Sequence, residues 1–376
     1  MMNNSFMELN QPKARVLAFY LPQFHPIPEN DEWWGKGFTE WTNVGKAKPL
    51  YLGHYQPHVP ADLGYYDLRV PETREAQAQL AREYGVEGFI YWHYWFGNGK
   101  RLLERPFNEV LASGKPDFPF ALAWANETWK GFWFGADGFR NALIEQTYPG
   151  DDDYINHFYT VLPAFKDKRY ITCEGKPIFM IYIPNQMPEM KHFIELWQDL
   201  AKKNGLKGIY FIAHQKKLFN KDAVQQSLDD RMSEGFDAIN VMNTWMEFTS
   251  MPLWNRVLRK FFYKNERFRL LPDLRPYQPN LFKCALDDNE KIIPSVVPNW
   301  DHTPRTGKKG IVLYGSTPEK FGKITSRIVE DISKKPFDKR FLFVKSWNEW
   351  AEGNYLEPDL KWGHAYGEAL KKAVIG

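Results

Sequence analysis

The 376-residue sequence has few cysteines, no long apolar run and almost no excess of charge. Its two cysteines, Cys173 and Cys284, lie far apart and form no Cys-x-x-Cys motif, which argues against a disulfide framework and favours a reducing compartment. No segment approaches the roughly 18 apolar residues of a membrane-spanning helix. With 49 Lys and Arg against 46 Asp and Glu, the formal charge is +3, so no nucleic-acid partner is expected. The first 13 residues lack the apolar stretch of a secretory signal, so the predicted location is the cytoplasm.

Aromatic residues are abundant instead, at 16% of the chain, with 15 Trp, 19 Tyr and 28 Phe. Many of the tryptophans stand beside Asn, Glu, His or Asp rather than inside apolar runs. Wide aromatic faces next to hydrogen-bonding groups suit sugar rings, which have apolar C–H faces and polar edges. The alternative is that these residues are large core side chains. The pattern predicts a glycan ligand.

Eight short apolar runs alternate with helical stretches along the chain. Near-continuous apolar runs are typical of parallel strands that are covered on both faces. Eight such units predict a single (β/α)8 TIM-type barrel with long loops after its strands. The predicted strands are residues 15–21, 86–92, 118–124, 177–183, 208–213, 236–241, 291–297 and 340–345. The predicted helices are residues 71–84, 105–112, 153–166, 188–203, 222–232 and 318–334, the last with Thr317 as N-cap.

A doubly wound sheet is the competing fold, but it normally carries a glycine-rich phosphate loop after its first strand. Here the first strand runs into residues 22–26, which contain no glycine. The predicted organisation is a flexible N-terminus at 1–13 and a barrel domain at 14–376, with an insertion at about 246–290 between strands six and seven.

Polar and aromatic clusters follow seven of the eight predicted strands. Because catalytic groups of such barrels lie at the C-terminal strand ends, these clusters are expected to line one cavity. The predicted substrate-binding residues among them are Tyr20, His25, Trp92, His93, Tyr94, Trp95, Trp124, Asn126, Glu127, His214, Asn243, Trp245, Trp300, Asp301, Trp347 and Asn348.

The sharpest cluster is Asn-Glu-Trp-Ala-Glu-Gly at 348–353, after the eighth strand. Glycoside hydrolysis needs two carboxyl groups, and Glu349 and Glu352 supply a pair three residues apart. Neighbouring tryptophans would desolvate a carboxyl and raise its pKa, which makes an acid usable near neutral pH. The predicted catalytic residues are therefore Glu349 and Glu352. The alternative is that both are solvated loop residues or ion-pair partners of Lys345 and Arg340.

Other acidic residues and the histidines leave alternatives open. Glu127, in a second Asn-Glu pair, could join Glu349 as acid/base or only bind substrate. Asp301 is a third acidic candidate, for binding or structure more than chemistry. His25, His93, His214 and His302 follow strands, but no His-x-His follows the first strand and no His-Glu-x-x-His is present. No metal or cofactor is expected, and the histidines suit sugar binding or orientation of other residues.

Several motifs resemble the WbsX-like polysaccharide-biosynthesis proteins, which are related to the family-99 glycoside hydrolases. They are AFYLPQFHP at 18–26, WWGKGFTEW at 33–41, YWHYWF at 91–96, WANETW at 124–129, PNWDHTPR at 298–305 and SWNEWAEG at 346–353. They occur in order over about residues 14–370. The second motif adds Trp41 to the predicted substrate-binding residues.

The resemblance implies a (β/α)8 barrel and the chemistry of retaining endo-α-mannosidases. By match to the Glu-x-x-Glu of those enzymes, Glu352 is the general acid/base. Glu349 is the base that takes the proton of the substrate 2-hydroxyl, which then attacks the anomeric carbon to form a 1,2-anhydro sugar. The tyrosine after their first strand corresponds to Tyr20.

The sequence thus predicts a retaining glycoside hydrolase or transglycosidase that acts on an α-linked microbial poly- or oligosaccharide of mannose type. One alternative is a glycosyltransferase of O-antigen or capsule biosynthesis. No nucleotide loop is present, so that enzyme would use a lipid-linked donor. The other alternative is a non-catalytic glycan-binding barrel.

The segment 254–270 holds six Lys or Arg and one Glu, a net charge of +5, and its apolar residues recur at roughly helical spacing. A basic helix with an apolar face can lie on an anionic membrane surface. One hypothesis is that it contacts lipid-linked glycan at the inner membrane. The other is a barrel-covering helix with a solvated basic edge.

Overall fold

The computed structural model describes residues 12–131, 142–216, 221–242, 270–278, 286 and 288–376. Most of the predicted flexible N-terminus and of the basic segment 254–270 lies outside these residues, as do Asn243 and Trp245. In the part of the chain that is described, no helix is long and apolar enough to cross a membrane.

Eight parallel strands form a closed barrel, which confirms the predicted fold. Each strand pairs with the next, and β8 pairs with β1 through Phe341 opposite Arg15 and Val344 opposite Ala18. The strands are β1 (Arg15–Tyr20), β2 (Gly88–Trp95), β3 (Phe120–Trp124), β4 (Lys176–Ile181), β5 (Tyr210–Lys216), β6 (Ala238–Met242), β7 (Ile292–Val296) and β8 (Phe341–Val344). Each overlaps one predicted apolar run.

Helices cover the barrel at all six predicted places. They are Pro71–Glu83, Arg105–Ser113, Asp151–Phe165, Met190–Lys203, Lys221–Ser233 and Pro318–Ile332. Thr317 caps the last of these, as predicted, because its side chain accepts a hydrogen bond from the Lys320 backbone N–H. Among the described residues, four further α-helices lie outside the predicted set: Pro28–Trp34, Glu40–Lys46, Thr303–Thr306 and Ala365–Val374.

Short elements at the strand ends shape the upper face of the barrel. Trp300–Asp301 and Ile311–Tyr314 pair antiparallel, and Asp273–Pro276 pairs parallel with the latter. This strand is a described part of the predicted insertion. After β8 the chain forms a hairpin of Asn348–Glu349 with Asn354–Tyr355 around the 3-10 turn Trp350–Glu352. The remaining short strands are Arg101–Leu102, Trp129–Lys130, Ala142–Ile144 and Thr172–Cys173, and the remaining 3-10 turns are Pro184–Gln186, Gly307–Lys309 and Phe337–Lys339.

The strands are buried almost throughout, as expected for a barrel enclosed by helices. Close packing requires glycine at one strand start, because a Cβ on Gly88 would lie 2.5 Å from the Pro119 carbonyl oxygen. The packed barrel holds the strand ends rigidly, and the loops that follow them build the site.

Candidate active site

A cavity of about 320 Å³ opens where the C-terminal ends of the strands meet. Its lining combines aromatic rings with charged side chains, which is the composition expected of a glycan site. The described lining residues are Leu21, Gln23, Trp92, Tyr94, Ala125, Glu127, Thr128, Trp129, Tyr182, Met242, Trp300, His302, Arg305, Ile311, Lys345, Glu349 and Glu352.

Both Asn-Glu dipeptides are built in the same way. The Asn348 side chain accepts a hydrogen bond from Leu21 N at 2.7 Å and donates one to Leu21 O at 3.0 Å. Asn126 likewise accepts from Ile183 N at 2.8 Å and donates to Ile183 O at 2.9 Å. Each buried asparagine thus clamps the backbone that follows a neighbouring strand, while the glutamate after it lines the cavity.

Arg305 connects three carboxylates around this cavity. Its Nη1 lies 2.5 Å from Glu352 Oε1 and 3.6 Å from Glu349 Oε1. Its Nε donates to Glu40 Oε1 at 2.8 Å, and Glu40 is fully buried. Lys345 adds a second cation, with Nζ 3.2 Å from Glu349 Oε2. The predicted catalytic pair is therefore set in a network of buried charges.

These cations decide the protonation state of Glu352. Burial acts to raise the pKa of Glu352, but the positive charges of Arg305 and Lys345 outweigh it and lower this pKa to about 2. Asn354 donates to the same carboxylate at 3.1 Å. Glu352 is thus ionised at neutral pH, which differs from the raised pKa expected from the neighbouring tryptophans.

The turn that carries Glu349 and Glu352 packs closely against the strand Trp300–Asp301. Gly353 has a φ of +62°, and a Cβ at this position would lie 2.7 Å from the Asp301 backbone nitrogen. A side chain would therefore push the turn away from the Trp300–Asp301 strand. The Asp301 carboxylate is itself fully hydrogen-bonded. The Gln56 side chain and the backbone N–H and hydroxyl of Thr303 donate to it, and His54 Nε2 lies 2.7 Å from it.

Aromatic rings form the other walls. Trp92 and Tyr94, two residues apart on the buried strand β2, line the cavity, and Tyr182 meets Trp92 edge to face at 5.1 Å. Trp129 crosses Tyr94 at 84°. Lys345 Nζ lies 5.6 Å from the ring centroids of Trp92 and of Trp300, so it lies between an aromatic wall and a carboxylate.

The structure brings six predicted site residues to the cavity: Trp92, Tyr94, Glu127, Trp300, Glu349 and Glu352. The other described site residues do not line the cavity. Their contact with a glycan stays a prediction, and their position does not support it. These are Tyr20, His25, Trp41, His93, Trp95, Trp124, Asn126, His214, Asp301, Trp347 and Asn348. All but the half-buried Trp41 are buried.

His214 supports the cavity lining from behind. His214 stacks under Tyr182 at 5.1 Å, and its Nδ1 lies 2.7 Å from the Asn240 side-chain oxygen. His93 Nε2 contacts His157 Nε2 at 2.8 Å, and burial lowers the pKa of His93 to about 3, which keeps it neutral.

Tyr20 belongs to a buried network beneath the turn. Its hydroxyl donates to Gln77, and Gln77 donates to Glu357 Oε1 at 2.6 Å. Glu357 Oε2 accepts from Trp350 Nε1 at 2.6 Å and from the Tyr66 hydroxyl at 2.9 Å. Burial raises the pKa of Glu357 to about 7 despite these donors. This carboxyl therefore holds Trp350, which stands between Glu349 and Glu352 in the chain.

We expect Glu357→Gln to fold and to change how stability depends on pH. A glutamine can accept from Trp350 and Tyr66, and Gln77 can turn its own oxygen toward the new amide. Because the folded pKa of Glu357 lies above the unfolded value of about 4.5, its stabilisation is complete below that value and is lost as pH rises through 7. The wild-type free energy of unfolding should fall relative to the variant by about 3 kcal/mol at most between pH 4.5 and 8.

Urea unfolding of both proteins across this range measures the difference. Glu357→Leu is the companion variant, and it should be less stable at every pH because three donors lose their acceptor. A constant difference between wild type and Glu357→Gln would contradict the prediction.

The sequence analysis missed Tyr182 and Gln23 as lining residues and Arg305 as a charge partner of the carboxylates. A signal existed for Arg305, which ends the 298–305 motif. Its partners Glu40, Glu349 and Glu352 are distant in sequence, so spacing alone did not connect them. Lys345 lies only four positions before Glu349, and it is one of the ion-pair partners that the sequence offered as an alternative.

The barrel, its aromatic cavity and its paired carboxylates define a (β/α)8 barrel protein with the fold of the family-99 glycoside hydrolases. An endo-α-mannosidase of that family from Bacteroides thetaiotaomicron, in complex with BIS-TRIS-propane, superposes with a TM-score of 0.56 at 14% identity, covering 96% of this chain and 95% of that one. A glycoside hydrolase-like protein gives a TM-score of 0.57 at 15% identity, covering 97% and 94%.

The chain belongs to the WbsX glycosyltransferase family, whose profile matches residues 16–370, which confirms the resemblance seen in the motifs. The WxcX protein of Xanthomonas campestris pv. campestris, itself uncharacterized, is 36% identical over 364 residues. That match covers 96% of this chain and 50% of the relative, so the chain spans about half the length of the curated relatives it matches.

Proposed function

We propose that this protein is a retaining glycoside hydrolase or transglycosidase acting on an α-linked, mannose-type microbial polysaccharide. The observation that carries the proposal is the pair Glu349 and Glu352 on one wall of an aromatic cavity at the C-terminal end of the barrel. The fold shared with an endo-α-mannosidase supports the choice of substrate class.

The spacing of the carboxylates favours retention. Glu349 Oε1 and Glu352 Oε1 both contact the same Arg305 nitrogen, at 3.6 and 2.5 Å. They therefore lie within about 6 Å of each other, less than the roughly 6.5–9.5 Å of inverting enzymes, which must admit a water between them.

In the proposed reaction Glu349 takes the proton of the substrate 2-hydroxyl while that oxygen attacks the anomeric carbon. Glu352 gives a proton to the departing glycosidic oxygen, and a 1,2-anhydro sugar forms. In the second step Glu352 takes a proton from the attacking water or sugar hydroxyl, and Glu349 returns its proton to the 2-oxygen. Because Glu352 is ionised beside Arg305, the first step requires that the bound glycan weakens the contact of Arg305 with Glu352.

A glycosyltransferase is the second candidate, and the ionised state of Glu352 favours it. Transfer from a sugar phosphate needs a base for the acceptor but no acid for the leaving phosphate, and Arg305 and Lys345 could stabilise that anion. Against it, these two cations face three carboxylates, those of Glu40, Glu349 and Glu352, which weakens the cavity as a phosphate site.

An NMR time course on α-linked mannose oligosaccharides and on the host polysaccharide tests the proposal. We expect cleavage in which the first-formed product is the α anomer. Absence of cleavage, together with calorimetric binding of a nucleotide sugar or a polyprenyl-phosphate sugar, would transfer the assignment to a glycosyltransferase. Glycan binding with neither turnover nor donor binding would indicate a binding protein.

Glu127 gives a further prediction, since it lines the same cavity and is an alternative acid/base. We expect Glu127→Gln to raise KM while changing kcat by less than about tenfold, because this side chain holds substrate rather than transferring its proton. Steady-state kinetics on the substrate found above measure both constants. If the variant lost about 10²–10⁴-fold in kcat, the scale of a lost acid/base, Glu127 would replace Glu352 in that role.

A further inference from the structure

One carboxylate oxygen of the fully buried Glu40 is left without a hydrogen bond. Its Oε1 accepts from Arg305 Nε at 2.8 Å, whereas its Oε2 is buried from solvent and has no partner within the described residues. Buried carboxylate oxygens are normally hydrogen-bonded, so this one needs an explanation. Because solvent does not reach Oε2, a protein donor has to move to meet it.

Other arginines of the chain show how such a pair is completed. In three other pairs, the Nε and Nη2 of the arginine donate to both oxygens of one carboxylate at 2.6–3.0 Å: Arg15 with Glu87, Arg69 with Asp67, and Arg169 with Asp167. Arg305 instead gives Nε to Glu40 and Nη1 to Glu352. Glu40 therefore has half of a two-pronged contact, which a rotation of the guanidinium would complete.

Glu40 and Glu352 compete for the charge of Arg305. Burial acts to raise the pKa of both carboxyls. The pKa of Glu352 is nevertheless lowered to about 2 by Arg305 and Lys345, whereas the pKa of Glu40 stays raised despite Arg305. A cation favours the ionised form of the carboxyl that it contacts, so moving Arg305 from Glu352 to Glu40 would make Glu352 the easier one to protonate.

A bound glycan gives a reason for this move. The glycosidic oxygen that departs in the proposed reaction carries no hydrogen, and an ionised carboxylate has none to donate, so the two repel each other. Protonated Glu352 can donate to that oxygen. Glycan binding therefore favours uptake of a proton from solvent by Glu352, which then no longer attracts Arg305.

We propose that Glu40 is a positioning residue of the reaction, whose second oxygen receives Arg305 when Glu352 takes up the proton that it later donates. The inference rests on the proposed function, because it treats Glu352 as the acid. Glu40 does not line the cavity and acts through Arg305, which does. The Glu40 backbone N–H donates to the Gln23 carbonyl oxygen at 3.0 Å, which anchors the start of the helix Glu40–Lys46 and leaves the movement to Arg305.

Several other charged or titratable groups surround these two carboxyls. Near Glu352 they are Arg305, Lys345, Glu349 and His302, whose Nε2 lies 3.6 Å from Glu352 Oε1. Near Glu40 they are Arg305, Glu349, Glu352 and Lys46. Burial lowers the pKa of His302, which keeps its ring neutral at neutral pH. Arg305 contacts both carboxyls directly, so its position couples them.

A crystal structure of the full-length Glu352→Gln variant without ligand tests the movement directly. The new side chain is uncharged, as protonated Glu352 is. We expect Arg305 nitrogens within about 3.2 Å of both Glu40 oxygens, in contrast to wild type crystallised in the same conditions. If Arg305 still met a single Glu40 oxygen, the proposal would be overturned. This test needs no turnover, so it is decided independently of the NMR time course that judges the proposed hydrolysis.

The pH dependence of kcat tests the same role in the reaction. In Glu40→Gln, Arg305 should stay with Glu352, so the alkaline limb of kcat should move down by at least about one pH unit. KM should change by less than about threefold, because Glu40 does not touch substrate.

Glu87→Gln is the matched control, since Glu87 pairs with Arg15 beside the N-terminal end of β2, at the opposite end of the barrel. Its pH profile should equal that of wild type. An alkaline limb of Glu40→Gln at the wild-type position would contradict the proposal. If Glu40→Gln does not fold, the crystal structure of Glu352→Gln decides alone.

Discussion

Replacing Glu352 by glutamine is expected to lower turnover by about a thousandfold or more while leaving glycan binding within a few-fold of wild type. Loss of a general acid/base removes about 10²–10⁴-fold in rate. Glutamine keeps the shape of the side chain, and its oxygen can still accept from Arg305, which now lies 2.5 Å from Glu352 Oε1. The loss would therefore report proton transfer rather than collapse of the site.

The leaving group separates the roles of the two glutamates. An aryl glycoside whose phenol leaves without protonation should restore much of the first step to Glu352→Gln. The same substrate should not rescue Glu349→Gln, because that variant lacks the base for the 2-hydroxyl. Stopped-flow release of the phenol measures the first step, and NMR measures the whole cycle.

Glu319→Gln is the control, since Glu319 is exposed in the first turn of the helix Pro318–Ile332 and does not line the cavity. Its rate should equal wild type. If Glu352→Gln kept more than about a third of the wild-type rate, Glu352 would not be the acid/base. Equal rescue of both variants by the aryl glycoside would contradict the separate roles of the two carboxylates.

Replacing Arg305 by glutamine is expected to destabilise the fold by about 3–5 kcal/mol, the usual cost of leaving one partner of a buried ion pair uncompensated. Glu40 is fully buried, and the Arg305 Nε lies 2.8 Å from its Oε1. Adding Glu40→Gln should recover part of the loss, because the uncompensated buried charge is then removed. Urea unfolding of the two single variants and the double variant measures this coupling.

The same variant should change the acid limb of stability. In wild type the pKa of Glu352 is about 2, below its unfolded value of 4.5, so this carboxylate stabilises the fold above pH 4.5. That stabilisation is lost as pH falls from about 4.5 toward 2. Without Arg305 the pKa of Glu352 rises and this contribution shrinks, so Arg305→Gln should lose less stability than wild type between pH 5 and 3.

Arg69→Gln is the matched control for lost charge. Arg69 pairs with Asp67 at the surface, at 2.7 Å, and such pairs contribute about 0–1 kcal/mol. If Arg305→Gln were no less stable than Arg69→Gln, Arg305 would not hold the buried carboxylates together. An unchanged acid limb would show that Arg305 does not set the protonation of Glu352.

The alternation of side chains along β2 shows how much of the site could be predicted from the local sequence pattern. Successive side chains of a strand point to opposite sides, so Trp92 and Tyr94 share a face while His93 and Trp95 share the other. The structure places the first two in the cavity lining and the second two outside it, although all four are buried. The alternation of a strand is enough to predict this division from the sequence. All four residues were nevertheless predicted to bind substrate, because they form one continuous aromatic motif.

The two side chains of each asparagine-glutamate dipeptide lie in different surroundings. Glu127 and Glu349 line the cavity, as predicted, whereas Asn126 and Asn348 bond to the backbone at Ile183 and Leu21. A side-chain amide can form hydrogen bonds either with a sugar hydroxyl or with a backbone peptide group. Only the position of the neighbouring strand end, many residues away in sequence, decides which of them it meets.

The sequence by itself determined the barrel and the place of its carboxylate pair. Eight apolar runs alternating with helices bury their surface best as parallel strands in a ring, and this ring brings every strand end, including the turn after Phe341–Val344, to one face. Those properties depend on local pattern and chain order.

Only the tertiary structure decided the charges of the site. Glu352 lies 47 positions from Arg305, and Arg305 lies 265 positions from Glu40, yet these groups meet within hydrogen-bonding distance. Electrostatic interactions depend on distance in space and on exclusion of water, and neither is encoded in spacing along the chain. The sequence therefore located a carboxyl pair with Lys345 nearby in the chain, while folding placed Arg305 against the pair and left Glu352 ionised.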